Sequence, residues 1–177
     1  MILNPKTILD LGILTSPCLE VNLDQQLQPN GIDVRVDVIK KVPYNSMAPF
    51  KLYENGKKVV PAHHICKGTL MNDEDAFVLE RGYAYSAECF EVVKIPKNVM
   101  GMVYGRSTLM RNGVFCRASV YDSGFHDHVG MMIYPFVDFW VQRGTRIAQI
   151  IFQSAKTAYQ YNGQYGIVKG ENVDELC

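Results

Sequence analysis

The sequence of 177 residues lacks a long hydrophobic run, an excess of charge of either sign and any paired cysteine spacing. No apolar run approaches the ~18 residues of a transmembrane helix, so no membrane span is expected. The first residues have no basic region followed by an apolar core, so no signal peptide is expected. Eighteen basic residues balance eighteen acidic ones. A zero net charge argues against broad nucleic-acid binding, which needs a basic face, but still allows a small anion held by a few arginines.

The cysteines and histidines do not form a recognisable framework. The odd number of cysteines and their scatter favour free thiols in a reducing cytosol, and a cytoplasmic location is the default. The histidine-containing stretches at residues 63–66 and 125–128 lack the paired spacing of a structural zinc site. A Walker loop, a dinucleotide fingerprint and a Gly-x-Ser-x-Gly elbow are also missing, which removes the commonest phosphate-handling alternatives. The cysteines are Cys18, Cys66, Cys89, Cys116 and Cys177.

The patterns that are present favour a mainly β domain. A composition of 47% hydrophobic and 20% charged residues is typical of a globular protein. Asn4 as a cap and Pro5 at the first helical position predict a short N-terminal helix before Gly12. After it, β-branched and aromatic segments such as the alternating run at residues 31–39 are separated by glycines and prolines. We expect an all-β fold, a distorted jelly roll or β-barrel, because the Cys…Trp…Cys spacing of an immunoglobulin sandwich is missing.

The chain length suits one domain, residues 1–177, with two segments outside its core. Residues 45–72 are polar, contain Pro49 and Pro61, and predict an insertion or a long loop region. Residues 163–177 are polar and contain glycine, which predicts a mobile C-terminal tail.

A glycine turn carrying a guanidinium and two hydroxyls is the first candidate for chemistry. Gly105 follows a predicted strand and allows close backbone approach. Arg106 and Arg111 can pair with phosphate oxygens or with a neighbouring carboxylate, and Ser107 and Thr108 can donate hydroxyl hydrogen bonds. The same residues also fit a capped turn that opens a short helix. The motif alone does not decide between a phosphate grip and a structural turn.

Three further polar residues stand in apolar surroundings. Asp122, in an otherwise apolar hairpin, is either a turn former or a base held near a site. Asp33 alternates with apolar residues on its strand, and a solvated strand charge is the ordinary explanation. Alternation puts Gln149 on the same strand face as Ile147 and Ile151, which predicts either a satisfied core amide or a ligand contact.

Four segments, in this order, resemble motifs of the dUTPase and dCTP deaminase superfamily. Their sequences are similar to the first motif of deaminases and archaeal-type dUTPases, the Gly-Arg-Ser-Ser-Leu motif, the Ile-Asp-x-Gly/Asp-Phe/Tyr hairpin and the Gly-x-Arg-Ile-Ala-Gln-Leu block. They are residues 28–36, 105–109, 120–125 and 144–152. Residues 1–3 and 161–165 also look like the deaminase and archaeal branch. The match spans most of the chain except residues 45–72.

The resemblance implies a jelly-roll-like fold assembled as a homotrimer, with three sites at subunit interfaces. It implies hydrolysis of dUTP, in which water attacks the α-phosphorus and pyrophosphate leaves. Mg²⁺ would bridge the triphosphate through water-rich coordination. Asp33, in the first motif, would bear on that metal site through water or on a subunit contact.

The remaining roles follow by motif position. Asp122 would be the base that orients the water, with Arg106 and Ser107 holding the reacting phosphates. Phe125 would stack on the deoxyribose, where its bulk would disfavour a 2′-hydroxyl. Further contacts are implied for the triphosphate, for the base through the hairpin backbone, and for closure by the tail. These are Thr108, Arg111 and Gln149 for the triphosphate, Ala118, Ser119 and Val120 for the base, and Tyr165 for closure.

One position separates the two activities of the superfamily. Deaminases place a catalytic glutamate ten residues after the hairpin aspartate, and counting from Asp122 gives Met132. A thioether cannot shuttle protons, and no other acid lies between Asp127 and Asp138. The interval from Arg111 to Asp122 is also shorter than in deaminases. The prediction is therefore a dUTP diphosphatase.

Other functions stay open. The alternatives are a dCTP deaminase or bifunctional enzyme, a pyrophosphatase for another deoxynucleotide, and a catalytically inactive nucleotide-binding or interaction module. Deaminase-like features at the N-terminus and in the tail leave the base specificity open.

Overall fold

The computed structural model describes residues 1–42, 51–52, 54, 58–59, 64–66, 69–71 and 74–162. The predicted insertion lies largely outside the described residues, and the predicted tail lies wholly outside them, so both stay predictions. In the part of the chain that the structure describes, no helix has the length and apolar character needed to cross a lipid bilayer.

The described residues form short helices and many strands. The helices are α1 (Pro5–Asp10), α2 (Leu23–Gln26) and α3 (Ser107–Arg111). The strands are β1 (Leu14–Thr15), β2 (Leu27–Gln28), β3 (Gly31–Lys41), β4 (Lys51–Leu52), β5 (Lys58–Val59), β6 (His64–Cys66), β7 (Thr69–Met71), β8 (Glu74–Leu79), β9 (Tyr85–Lys94), β10 (Val99–Gly105), β11 (Val114–Tyr121), β12 (His126–Pro135), β13 (Phe139–Gln142) and β14 (Arg146–Ser154).

Six of these strands close into a barrel. Around it, the order is β9, β12, β11, β10, β14 and β3, and each neighbouring pair is antiparallel. The pairing of β3 with β9, which includes Val36↔Cys89 and Lys41↔Tyr85, closes the ring. Beside the barrel, β7, β8 and β13 form a three-stranded sheet. The predicted all-β fold of the jelly-roll or β-barrel type is confirmed.

The barrel interior is apolar. On β3, the alternating residues Ile32, Val34 and Val36 are fully buried, as the two-residue period of a strand predicts. The facing strands contribute further buried residues, among them Ala87, Cys89, Val129, Ile133, Ala148, Ile150 and Phe152. Burial of one large apolar side chain contributes about 1.5–3 kcal/mol. Burial of these side chains is therefore the main favourable contribution to the stability of the six-stranded barrel.

The predicted N-terminal helix is confirmed as α1. The Asn4 side chain accepts a hydrogen bond from the Lys6 N–H at 2.8 Å, and Pro5 occupies the first helical position. Ile8 is fully buried against the barrel, and the chain turns away at Gly12. Sequence and structure agree here because capping and helix entry depend on neighbours along the chain.

The cysteines only partly follow the expectation of free thiols. Cys89 and Cys116 are free and buried in the barrel, and burial raises the pKa of Cys116 to about 12. Such a thiol stays protonated and behaves as a small apolar group. Cys18, in contrast, is disulfide-bonded, so the expectation is wrong at that residue.

Candidate active site

The β11–β12 hairpin opens toward its tip. The ladder between the two strands ends at the pair Arg117↔Met132. Beyond it, the Tyr121 hydroxyl donates to the Gly130 carbonyl at 2.6 Å and accepts from the Gly130 N–H at 2.8 Å. Burial raises the pKa of Tyr121, so the hydroxyl stays protonated and can serve as both donor and acceptor. The edge of residues 118–120 that faces β12 is therefore not paired with that strand.

This opening lies in a cleft of about 1150 Å³ on the outer face of the barrel, which we call the hairpin cleft. Met132 lines it and is 43% exposed, whereas its neighbours Met131 and Ile133 point inward. Five residues predicted from the hairpin motif line the same cleft. They are Ala118, Ser119, Val120, Asp122 and Phe125.

The tip of the hairpin is a tight turn that displays Asp122. The Phe125 N–H donates to the Asp122 carbonyl at 3.0 Å, and the Asp122 side chain is exposed. The Phe125 ring is half-buried and meets the Tyr121 ring edge-on at 5.3 Å between centroids. Asp122 can therefore be both a turn residue and a base near a site. Its backbone forms the turn, and its carboxylate faces the cleft.

The segment after β14 returns over the hairpin. The Tyr161 N–H donates to the Ser123 carbonyl at 2.7 Å, and the Tyr161 ring lies edge-on to Phe125 at 5.4 Å between centroids. Gly124 has φ 91°, and a Cβ there would come within 2.9 Å of the Gln160 Cβ. Glycine is thus required both by the backbone conformation and by the packed segment.

A second group of predicted residues surrounds Asp33. Its carboxylate Oδ2 lies 3.2 Å from the Arg106 Nε and 3.3 Å from the Arg146 Nη1. The Arg106 Nη1 also donates to the Arg146 carbonyl at 3.1 Å. Across β14, Gln149 pairs in register with Asp33. We call Asp33, Arg106, Arg146 and Gln149 the arginine corner.

Two interpretations of this region are corrected. Asp33 is 2% exposed, so it is not a solvated strand charge. Burial raises the pKa of Asp33, and the guanidiniums of Arg106 and Arg146 oppose that shift without cancelling it. Gln149 is half-buried on the outer face, while Ala148 is fully buried, so Gln149 is not a core amide.

The phosphate-type residues of α3 lie beside this corner. Arg106 occupies the N-cap position of α3, and Ser107, Thr108 and Arg111 are exposed. A Cβ on Gly105 would come within 3.0 Å of the Cys116 Cβ, so the glycine serves close packing of β10 on β11. The three exposed side chains can meet a ligand without any rearrangement of the barrel.

The turn that carries Asp122 and the arginine corner lie at opposite ends of β10. Gly101, near one end, pairs with Tyr121, and Arg106 follows the other end. Five residues of extended strand span about 17 Å. One chain therefore does not bring Asp122 together with Arg106 and Ser107.

The side chains of the described residues do not form a cage of metal ligands. Among the described residues, no three histidine, cysteine, aspartate or glutamate side chains cluster as metal ligands. The Asp33 carboxylate is already shared by two guanidiniums, whose positive charge disfavours a cation beside it. Asp33 therefore does not fit the role of a metal ligand, direct or through water.

Residue spacing alone does not indicate two of the contacts at the hairpin cleft and the arginine corner. Arg146 reaches Asp33 only because β14 pairs with β3. Tyr161 reaches Phe125 because the chain after β14 folds back, and the resemblance at residues 161–165 was the signal that could have found it. Tyr165, the aromatic residue predicted from that signal, lies outside the described residues.

Comparisons with known proteins agree with this architecture. A family model described as dCTP deaminase-like matches residues 2–155. A deoxyuridine 5′-triphosphate nucleotidohydrolase of Methanocaldococcus jannaschii is 32% identical over 164 residues, which cover 90% of this chain and 98% of that protein. A probable deoxyuridine 5′-triphosphate nucleotidohydrolase of Halobacterium salinarum is 27% identical over 154 residues, covering 87% of this chain and 91% of that protein.

A solved structure supports the fold. The crystal structure of the 2′-deoxycytidine 5′-triphosphate deaminase of Agrobacterium tumefaciens matches with a TM-score of 0.65 and 22% sequence identity. The match covers 87% of this chain and 48% of that one, so this chain spans about half the length of that structure. The resemblance found in the four sequence motifs is confirmed at the level of the family and the fold.

Proposed function

This chain belongs to the dCTP deaminase-like family, and we propose that it hydrolyses dUTP to dUMP and pyrophosphate. The observation that carries the proposal is the hairpin cleft, with Asp122 at its turn and Met132 in its lining. A carboxylate can activate water, whereas a thioether cannot transfer protons at a cytosine amine. This chain matches 91% and 98% of the length of the two archaeal relatives, both of which are named as deoxyuridine 5′-triphosphate nucleotidohydrolases.

In the proposed reaction, the Asp122 carboxylate orients a water molecule and accepts its proton. The water oxygen bonds to the α-phosphorus while the bond from phosphorus to the α,β-bridging oxygen breaks. Pyrophosphate leaves with that oxygen and its electron pair. Asp122 suits this role because its side chain is exposed at the cleft and its backbone is held by the turn.

The open hairpin edge suits recognition of the base. A base that enters between the diverging strands meets unpaired backbone donors and acceptors of residues 118–120, which can pair with a pyrimidine edge. Phe125 would lie against the deoxyribose, where a 2′-hydroxyl would meet its ring. The packed ring of Tyr161 supports Phe125 in that position.

The triphosphate grip would come from the arginine corner of a second copy of the chain. The separation of about 17 Å within one chain favours this arrangement. Arg106 and Ser107 would hold the reacting phosphates. The remaining contacts would come from Thr108, Arg111 and Gln149, with Tyr165 closing over the site.

The surface of the barrel supports assembly as a homotrimer with three interfacial sites. Tyr104, Phe115 and Tyr134 on its outer face are 44%, 46% and 38% exposed. Side chains of this kind are enriched at protein interfaces. Light scattering coupled to size-exclusion chromatography should give the mass of three 20.0 kDa chains, and a monomer mass would contradict the trimer.

Mg²⁺ would accompany the substrate rather than occupy a protein cage. Since Asp33 is engaged by arginines, the ion would take its ligands from triphosphate oxygens and water, as Mg²⁺ prefers. When bound, it would neutralise charge on the leaving pyrophosphate. A cytoplasmic location and the absence of a nucleic-acid partner stay predictions from composition.

One observation favours a second candidate, dCTP deamination. Glu88 on β9 lines the hairpin cleft, so the cleft contains an acid besides those of its own hairpin. Its carboxylate is 2.5 Å from the Lys40 Nζ, so a cytosine amine would have to compete with this ion pair for the Glu88 oxygens. Deamination is therefore the less favoured reaction.

Incubation with each deoxynucleoside triphosphate and Mg²⁺, followed by chromatography of the products, tests the proposal. We expect dUMP and pyrophosphate from dUTP. Ammonia release from dCTP would establish deamination instead. Tight dUTP binding without any product would identify a catalytically inactive nucleotide-binding module.

A further inference from the structure

Arg117 is the one arginine or lysine lining the hairpin cleft among the residues that the structure describes. Two of the acids in the cleft lining already have cationic partners. The Asp37 carboxylate accepts from the Arg143 Nε at 2.7 Å, and Glu88 pairs with Lys40. The backbone of Arg117 is paired in the sheet, but its side chain makes no hydrogen bond or ion pair with any other described residue. An exposed guanidinium thus stands in the cleft with its donors available.

The position of Arg117 is set by the last rung of the ladder. Arg117 lies directly opposite Met132, and Ala118 is the first residue of the unpaired edge. Directly opposed side chains on one sheet face have Cβ atoms about 4.5–5.5 Å apart. Arg117 and Met132 therefore stand side by side at the closed end of the opening that would receive the base.

A guanidinium at this end discriminates between pyrimidines by hydrogen-bond polarity. It donates and never accepts. Uracil carries a carbonyl acceptor at C4, whereas cytosine carries an amino donor there. Donor facing donor leaves both groups without a partner and costs binding energy. The neighbouring Met132 thioether is at best a weak acceptor, so it does not compensate the cytosine amine.

We propose that Arg117 is a specificity-determining residue that donates to the 4-carbonyl of a uracil base and so selects dUTP over dCTP. This role rests on the proposed function, because it places the base between the diverging hairpin strands. It also distinguishes uracil from cytosine without separating uracil from thymine, since both carry the same 4-carbonyl.

The test compares Arg117→Gln with the wild type and with a matched control, Arg81→Gln, at an exposed arginine outside the cleft. Calorimetric binding of dUMP, dTMP and dCMP supplies the main measurement. In Arg117→Gln, dUMP and dTMP affinity should fall by about 10- to 100-fold, the range of a good base contact. The dCMP affinity should stay level or rise, while Arg81→Gln should match the wild type.

Two results would overturn the role of Arg117. Equal losses for dUMP and dCMP would assign the guanidinium to phosphate, and unchanged affinity for both nucleotides would remove it from the site. Because Arg117 is exposed, the variant is expected to fold, and an unchanged thermal transition checks this. The proposed function is judged separately: absence of dUTP turnover in the wild type would reject it, whatever the monophosphates show.

Discussion

The hairpin cleft and the arginine corner both lie along β10, and they differ in how their polar groups are satisfied. In the cleft, the ladder stops at Arg117↔Met132, which leaves a backbone edge and an exposed guanidinium available. At the corner, the buried Asp33 carboxylate engages two guanidiniums. The cleft is thus arranged to receive a partner, whereas the corner is preorganised before any ligand arrives. Preorganised charge suits phosphate, and an unpaired edge suits a base.

The substitution Asp122→Asn, in the hairpin cleft, should cause the largest loss of activity. The amide keeps the turn geometry but cannot accept a proton from water, so kcat for dUTP should fall by about 10²- to 10⁴-fold. The steady-state rate of pyrophosphate release at saturating dUTP measures this kcat. Asp138→Asn, another exposed carboxylate outside the cleft, is the matched control. A kcat within a factor of two of the wild type would remove Asp122 from its assigned role.

Mixing two inactive variants tests whether the two regions act across a subunit boundary. Asp122→Asn lacks a working cleft and Arg106→Gln lacks a working corner, so each should be inactive alone. After co-refolding at equal amounts, about one quarter of the sites should combine an intact cleft with an intact corner from another copy. Recovery of activity toward that fraction supports shared sites. No recovery, with mixed oligomers verified by mass, would place the whole site in one chain.

Asp33→Asn should weaken the corner without abolishing the chemistry. Loss of the carboxylate leaves Arg106 and Arg146 without their shared anion, so kcat/KM for dUTP should fall by about 10- to 100-fold, mainly through KM. Kinetics on dUTP and dUMP affinity give the readouts. Since dUMP lacks the β- and γ-phosphates, its affinity should change less than the KM for dUTP. An equal loss in both would indicate a general structural role instead.

Tyr161→Ala should have the smallest effect. Its ring meets Phe125 edge-on, and an aromatic pair of this kind contributes about 0.5–1.5 kcal/mol. The KM for dUTP should therefore rise by about 2- to 12-fold with little change in kcat. Tyr161→Phe keeps the ring and should stay near the wild-type KM. A large fall in kcat in the alanine variant would show that the segment does more than support Phe125.

Prediction from sequence succeeded where the interaction is local. The cap at Asn4 and the alternation of Ile32, Val34 and Val36 depend on residues close along the chain, and both are confirmed. Asp33 was misread because alternation assigns a residue to a face but does not say what covers that face. Arg106, at the start of α3, and Arg146, on β14, cover it from distant parts of the chain.

Gln149 illustrates the same difficulty. Alternation groups it with Ile147 and Ile151, and Ile147 is fully buried. After the register shift between Arg146 and Ala148, however, the fully buried residues are Ala148, Ile150 and Phe152. Which of two faces turns inward is decided by barrel closure, and β14 carries apolar residues on both. The sequence pattern alone therefore does not predict which face of β14 lies inside the barrel.

By itself, the sequence determined the chemistry available to this protein: a mainly β chain of the dCTP deaminase-like family, with Asp122 in the hairpin and Met132 in place of a glutamate. These are matters of residue identity and order. Only the tertiary structure decided which groups meet. Pairing of β14 with β3 joins Asp33 to its arginines, and the end of the β11–β12 ladder exposes the hairpin edge and Arg117. The physical reason is that strand register is set by long-range pairing and burial, which local patterns do not encode.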